Sequence, residues 1–168
     1  MKKIILIIAS FLVLGHTESV YSQFSGTYAI VNSKTGLSLR PKGASSMNGN
    51  KIIMFTTVEW KCETWNFKPN KDHSHTLENL YTGKSFQPEN KSGKPGTNLV
   101  QLPRDQNDIM QRWVFVEDSP GLYRIRHLAT DLYLTTTEST KNNSDVFLEK
   151  KNNIKEQLWK IVAQSPAQ

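Results

Sequence analysis

Cysteine is almost absent from this sequence: Cys62 stands alone, so no internal disulfide can form and the fold must stand on packing even in an oxidising compartment. No Cys/His pattern accompanies that thiol, which makes it a buried structural residue before a nucleophile. Metal ligands are scarce too. Asp72-His73-Ser74-His75 offers two imidazoles without a third spaced ligand, and neither a metal nor a cofactor is expected. Glycine-rich phosphate motifs are missing, because neither Gly93-Lys94-Pro95-Gly96 nor Lys42-Gly43-Ala44 has a loop-then-helix context. The basic residues form no dense stripe interleaved with aromatics, which argues against nucleic acid as a partner. Sustained helical periodicity is also lacking beyond the N-terminal segment, so the domain should be nearly all β.

The one long apolar run lies at the start. Lys2 and Lys3 precede Ile4 to Leu14, and small residues follow near Ser22, the pattern of an export signal. That run covers 11 residues, whereas a membrane span needs about 20. Cleavage after Ser22 would leave Gln23 as the new N-terminus and a secreted or periplasmic chain with no transmembrane segment. No cysteine follows the cut, which argues against lipidation. Loss of residues 1–22 takes the formal charge from +6 to +5 and leaves 146 residues, 23–168, enough for one domain with its own core. A mildly basic surface of this kind favours anionic glycans or membrane surfaces at low salt.

What is present is a unit of about 47 residues written three times, over about 26–70, 73–118 and 121–163. Trp65, Trp113 and Trp159 each follow Glu63, Gln111 or Gln157 by two places and precede Phe67, Phe115 or Ile161 by two. Eleven residues before each tryptophan come Met54, Leu102 and Leu148, preceded in turn by Ile52, Val100 and Val146, an alternation typical of strands. The units open alike: Tyr28 to Asn32 aligns with His75 to Asn79 and Tyr123 to His127. A turn follows each, then Leu39, Phe86 and Leu134. Polar segments at matching places, Lys42 to Asn50, Asn90 to Asn98 and Thr137 to Asp145, read as hairpin loops, with Asn48-Gly49 the strongest turn signal. One unit cannot cover its own apolar face, so three should share a core filled by the tryptophans, each square ångström of apolar surface removed from water contributing about 25 cal/mol.

The threefold Q-x-W pattern, present as Glu63-Thr64-Trp65, Gln111-Arg112-Trp113 and Gln157-Leu158-Trp159, resembles the ricin B lectin family over residues 26–162. The opening Gly26 to Asn32 followed by Thr35-Gly36 resembles the bacterial and fungal variant, and the chain is similar to a secreted bacterial member. The resemblance implies an all-β β-trefoil: a six-stranded barrel capped by three hairpins, four strands to a unit. It also implies glycan binding, but the residues that take galactose in the family are replaced. The family Asp is matched by Arg40, Gln87 and Thr135, the stacking aromatic by Phe55, Pro103 and Glu149, and the Asn by Cys62, Met110 and Glu156.

Galactose binding in the standard mode is therefore not expected, because losing an ionised acceptor costs roughly 1.5–3 kcal/mol in a site whose total is about 4 kcal/mol. The expected function is a secreted carbohydrate-binding, lectin-like module with altered polar partners. The alternative is a trefoil whose loops engage a protein. An enzyme is not expected: Glu59, Glu63, Glu138, Glu149 and Glu156 are ordinary surface carboxylates unless two face each other about 5–10 Å apart across a cleft. The ligand site is expected in the first unit, at Arg40, Phe55, Trp60 and Glu63. Phe55 alone keeps an aromatic at the stacking position, and Trp60 lies in the loop just beyond it. Arg40 brings donors that would suit an acidic or sulfated sugar. Glu63 also supports the fold.

Overall fold

A computed structural model describes residues 24–167; the segment read as an export signal lies outside the described residues. Alternating apolar residues bounded by turns form twelve strands: β1 (Gly26–Asn32), β2 (Leu37–Pro41), β3 (Ile52–Thr56), β4 (Trp65–Pro69), β5 (His75–Asn79), β6 (Lys84–Pro88), β7 (Thr97–Pro103), β8 (Arg112–Ser119), β9 (Leu122–His127), β10 (Tyr133–Thr136), β11 (Ser144–Glu149) and β12 (Trp159–Ala163). All pairings are antiparallel. β1 pairs with β4 and β12, β5 with β4 and β8, and β9 with β8 and β12, which closes a six-stranded barrel without a free edge. The hairpins β2–β3, β6–β7 and β10–β11 cap one end. β11 joins β3 and β7, and a bridge between Lys51 and Val100 completes the ring.

The three tryptophans are fully buried and equivalent. Each indole donates to the carbonyl of the second strand of its own unit: Trp65 to Leu39 (3.1 Å), Trp113 to Phe86 (3.4 Å) and Trp159 to Leu134 (3.0 Å). Thus the large ring fills the core while its one polar atom stays bonded. At the far end of the barrel, Phe24 packs against rings from all three units, Tyr28 and Phe67, His75 and Phe115, and Tyr123, with centroids 5.1 to 6.2 Å away.

One expectation needs correction. In the second unit the inward residues of β7 are Leu99 and Gln101, not Val100 and Leu102. Phe86 lies opposite Gln101, whereas Leu39 and Leu134 face Met54 and Leu148. Because side chains alternate with period two, a slip of one residue exchanges the faces. The chain accommodates it with one extra residue before Gln111. Gln101 then puts an amide where the other units have Met or Leu, and its Nε2 donates to the carbonyls of Ser45 (2.6 Å) and Met47 (2.9 Å), holding the β2–β3 loop.

Candidate functional site

Immediately before each tryptophan the chain makes a short 3-10 turn: Lys61–Glu63, Ile109–Gln111 and Lys155–Gln157. The turn swings the Q-x-W side chain inward, where it ties down the loop leaving the third strand. Gln111 Oε1 accepts from the Asp105 amide (2.9 Å) and its Nε2 donates to Pro103 O (3.0 Å). Gln157 makes the same pair with Asn152 N (2.8 Å) and Lys150 O (2.8 Å). Glu63 keeps the acceptor half, with Val58 N at 2.9 Å and the Ser38 hydroxyl also at 2.9 Å, but a carboxylate has no hydrogen for the other half. A second set of bonds joins the units: Asn32, Asn79 and His127 are buried at equivalent strand ends and contact the carbonyls of Glu156, Cys62 and Met110 at 3.1, 2.9 and 2.9 Å. Burial holds the imidazole of His127 below its ordinary pKa.

The residues at the family Asp position all serve this same scaffold. Gln87 accepts from Gln111 (3.4 Å), Thr135 accepts from Gln157 (3.0 Å), and Arg40 approaches Glu63 at 3.5 Å. Arg40 is 7% exposed and its guanidinium carbon sits 4.3 Å from the centre of the Phe55 ring, so one face of that ring is already covered. Burial pushes the Glu63 carboxyl above its ordinary pKa, while the Val58 amide, the Ser38 hydroxyl and Arg40 pull the other way. The structure therefore brings Arg40, Phe55 and Glu63 together as a packed group. Both charged side chains of the group, Arg40 and Glu63, are buried. Trp60 stands apart from them, 55% exposed.

Trp60 borders an open cleft of about 460 Å³, floored by Ala44 and Cys62 and faced by Tyr81, which is 60% exposed. Four segments make it: the β2–β3 loop, the turn before Trp65, the turn after β5 of the next unit, and the C-terminal segment at Ala167. Burial raises the Cys62 thiol pKa and keeps it an inert part of the floor. In the other two units ion pairs cross the matching place. In the second, Lys91 from the hairpin loop reaches Asp108, which stands in the place of Trp60, at 3.0 Å. In the third, Lys34, in the place of Tyr81, pairs with Glu156, in the place of Cys62, and lies 3.1 Å from Glu138 of the hairpin loop. Lys34 holds the Glu156 carboxyl below the ordinary range. Asp108 is lowered as well, the opposing effect of burial being outweighed by the Met110 amide and Lys91. Tyr81 was legible only as part of a turn; comparing it with Lys34 and Ala129 at the matching places would have singled it out. Among the described residues, no group of three or more His, Cys, Asp or Glu could hold a metal ion, and no helix is long and apolar enough to cross a membrane.

A closed threefold barrel, a triangular cap and inward-turned Q-x-W side chains define a β-trefoil of lectin type. The ricin-type beta-trefoil lectin domain-like family matches residues 19–102, half of the chain, and the protein belongs to that family. No curated protein sequence matches it. Among solved structures it is similar to the designed threefold-symmetric protein ThreeFoil (TM-score 0.79, 23% identity, covering 83% of this chain and 99% of that one). It is also similar to the Rhizoctonia solani agglutinin (0.75, 20%, 85% and 98%). The Macrolepiota procera ricin B-like lectin, solved in complex with lactose, is a further match (0.68, 22%, 84% and 99%). At such identities the likeness establishes the fold.

Proposed function

We propose that the protein is a secreted or periplasmic carbohydrate-binding module, not an enzyme, that works through one cleft, the one between Trp60 and Tyr81. The observation that carries this reading is the contrast among the three recesses: two are crossed by ion pairs, and the remaining one is open and flanked by exposed aromatic rings. A ring offers a flat apolar face to the C–H groups of a pyranose, and two rings across a cleft can hold an extended sugar without the missing Asp. Glutamate and lysine flank the turn at Glu59 and Lys61, so the local charge is balanced. Since Glu63 meets the charge of Arg40, selection for an acidic or sulfated sugar would have to come from Lys61. A neutral glycan with a broad apolar face fits better.

The export signal and the family support the same reading, as does the lactose complex of the Macrolepiota lectin. A glycan array on the chain beginning at Gln23 should give a hit. Trp60→Ala and Tyr81→Ala should each then weaken that hit by about 1–2 kcal/mol, roughly tenfold, as measured by calorimetry. Full affinity in both variants would refute the cleft. A second reading, a protein-binding trefoil, draws on the same exposed Trp and Tyr, which are favoured anchors in protein interfaces. An empty array together with capture of a protein partner that depends on Trp60 would establish it.

A further inference from the structure

We propose that residues 164–167 are a strap that positions the Trp60 turn, so that the chain's C-terminal segment sets the shape of the binding cleft; this rests on the reading of that cleft given above. The turn before each tryptophan is supported from beneath in a different way in each unit. In the second unit, Arg112 donates to Asp72 of the β4–β5 hairpin (2.6 Å) and to the Gln106 carbonyl (3.0 Å), tying hairpin to turn. In the third, Asp118 of the β8–β9 hairpin fixes Arg124 (2.7 Å), which donates to the Asn152 carbonyl (2.6 Å). The first unit uses the segment after β12 instead. Gln164 stands five residues beyond Trp159, as Asn70 and Asp118 stand five beyond Trp65 and Trp113.

Five hydrogen bonds make the strap. The Gln164 amide donates to Thr27 O (2.9 Å), and the Thr27 hydroxyl donates back to Gln164 O (2.6 Å), which extends the β1–β12 ladder by one step. The fully buried Thr64 hydroxyl shares its hydrogen between Gln164 Oε1 (2.6 Å) and the Trp60 carbonyl (2.9 Å). Gln164 Nε2 donates to Val58 O (3.4 Å), and the Ser165 amide donates to Glu59 (2.8 Å). Val58 and Glu59 precede Trp60 and Thr64 follows it, so the strap holds the chain on both sides of the aromatic residue. Beyond them, Ala167 itself lines the cleft. Gln164 and Thr64 are therefore positioning residues: they touch no ligand, but they hold the backbone from which the Trp60 ring projects.

The chain has four tryptophans, three of them fully buried, so quenching by acrylamide reports on Trp60, and Trp60→Phe identifies its signal. Gln164→Ala and Thr64→Val should raise the quenching constant of Trp60 about twofold by loosening the turn, while Thr64→Ser, which keeps the hydroxyl, should restore it. The emission of the three buried tryptophans checks that each variant is folded, and Gln164→Ala remains available if Thr64→Val does not fold. Affinity for the best array hit should fall about fivefold in Gln164→Ala, because binding must then order the turn. Unchanged quenching in both variants overturns the strap. Altered quenching with unaltered affinity overturns its role in binding. Should the array be empty, the glycan reading fails while the quenching measurement still decides the strap.

Discussion

The first and third recesses share one backbone and differ in chemistry. Cys62 and Tyr81 stand where the third has Glu156 and Lys34, and Trp60 stands where it has Ile154. In the third, the charged groups satisfy one another across the recess; in the first, the two rings are exposed among the described residues. The repeat that builds the scaffold thus says nothing about which copy works. On the proposed reading, function follows from the three or four side chains at which the copies diverge, as expected when sites are carried on a fixed fold.

The comparison can be tested at several strengths. The largest effect should come from breaking what all units share: Trp113→Ala leaves a cavity and an unpaired Phe86 carbonyl, and should cost about 3–5 kcal/mol in urea unfolding. Next is the pair peculiar to the first unit. Arg40→Gln or Glu63→Gln alone leaves a buried charge without its counterpart and should cost about 3 kcal/mol. The double change installs the Gln87–Gln111 amide pair of the second unit, and should recover about 1–3 kcal/mol of the summed loss. Additive losses in that cycle would mean the two residues are independent.

The smallest effect concerns pH. Glu156 has a lowered pKa in the folded protein, so its pairing with Lys34 adds stability above the ordinary carboxylate pKa and loses it as pH falls through the lowered value. Lys34→Ala should therefore be slightly less stable than the parent at pH 7, with the difference gone in strong acid. Glu63 behaves oppositely. Its raised pKa means a contribution complete below the ordinary carboxylate pKa and lost as pH rises through the folded value. Denaturation curves across this range for Lys34→Ala test the first sign, since a gap that persisted in acid would show that Lys34 acts through packing alone.

Sequence periodicity was enough to read a nearly all-β domain of three units around one core, because one unit cannot cover its own apolar face, and the Q-x-W resemblance implied the trefoil. It also placed Trp60 in the loop that borders the cleft. The slip of β7 escaped notice because Leu99, Val100 and Leu102 are all apolar, so either face of the strand reads as buried until its partner is known. The burial of Arg40, expected to offer donors to a ligand, was not legible for a similar reason. Its charge is visible in the sequence, but its neutralisation by Glu63, 23 residues away, depends on the turn that points both side chains inward. Tyr81, Lys34 and the C-terminal segment reach their recesses only through the barrel's closure, which brings the end of one unit against the next. Local pattern therefore decided the elements and the core, whereas long-range pairing decided which exposed groups face one another and which recess stays open.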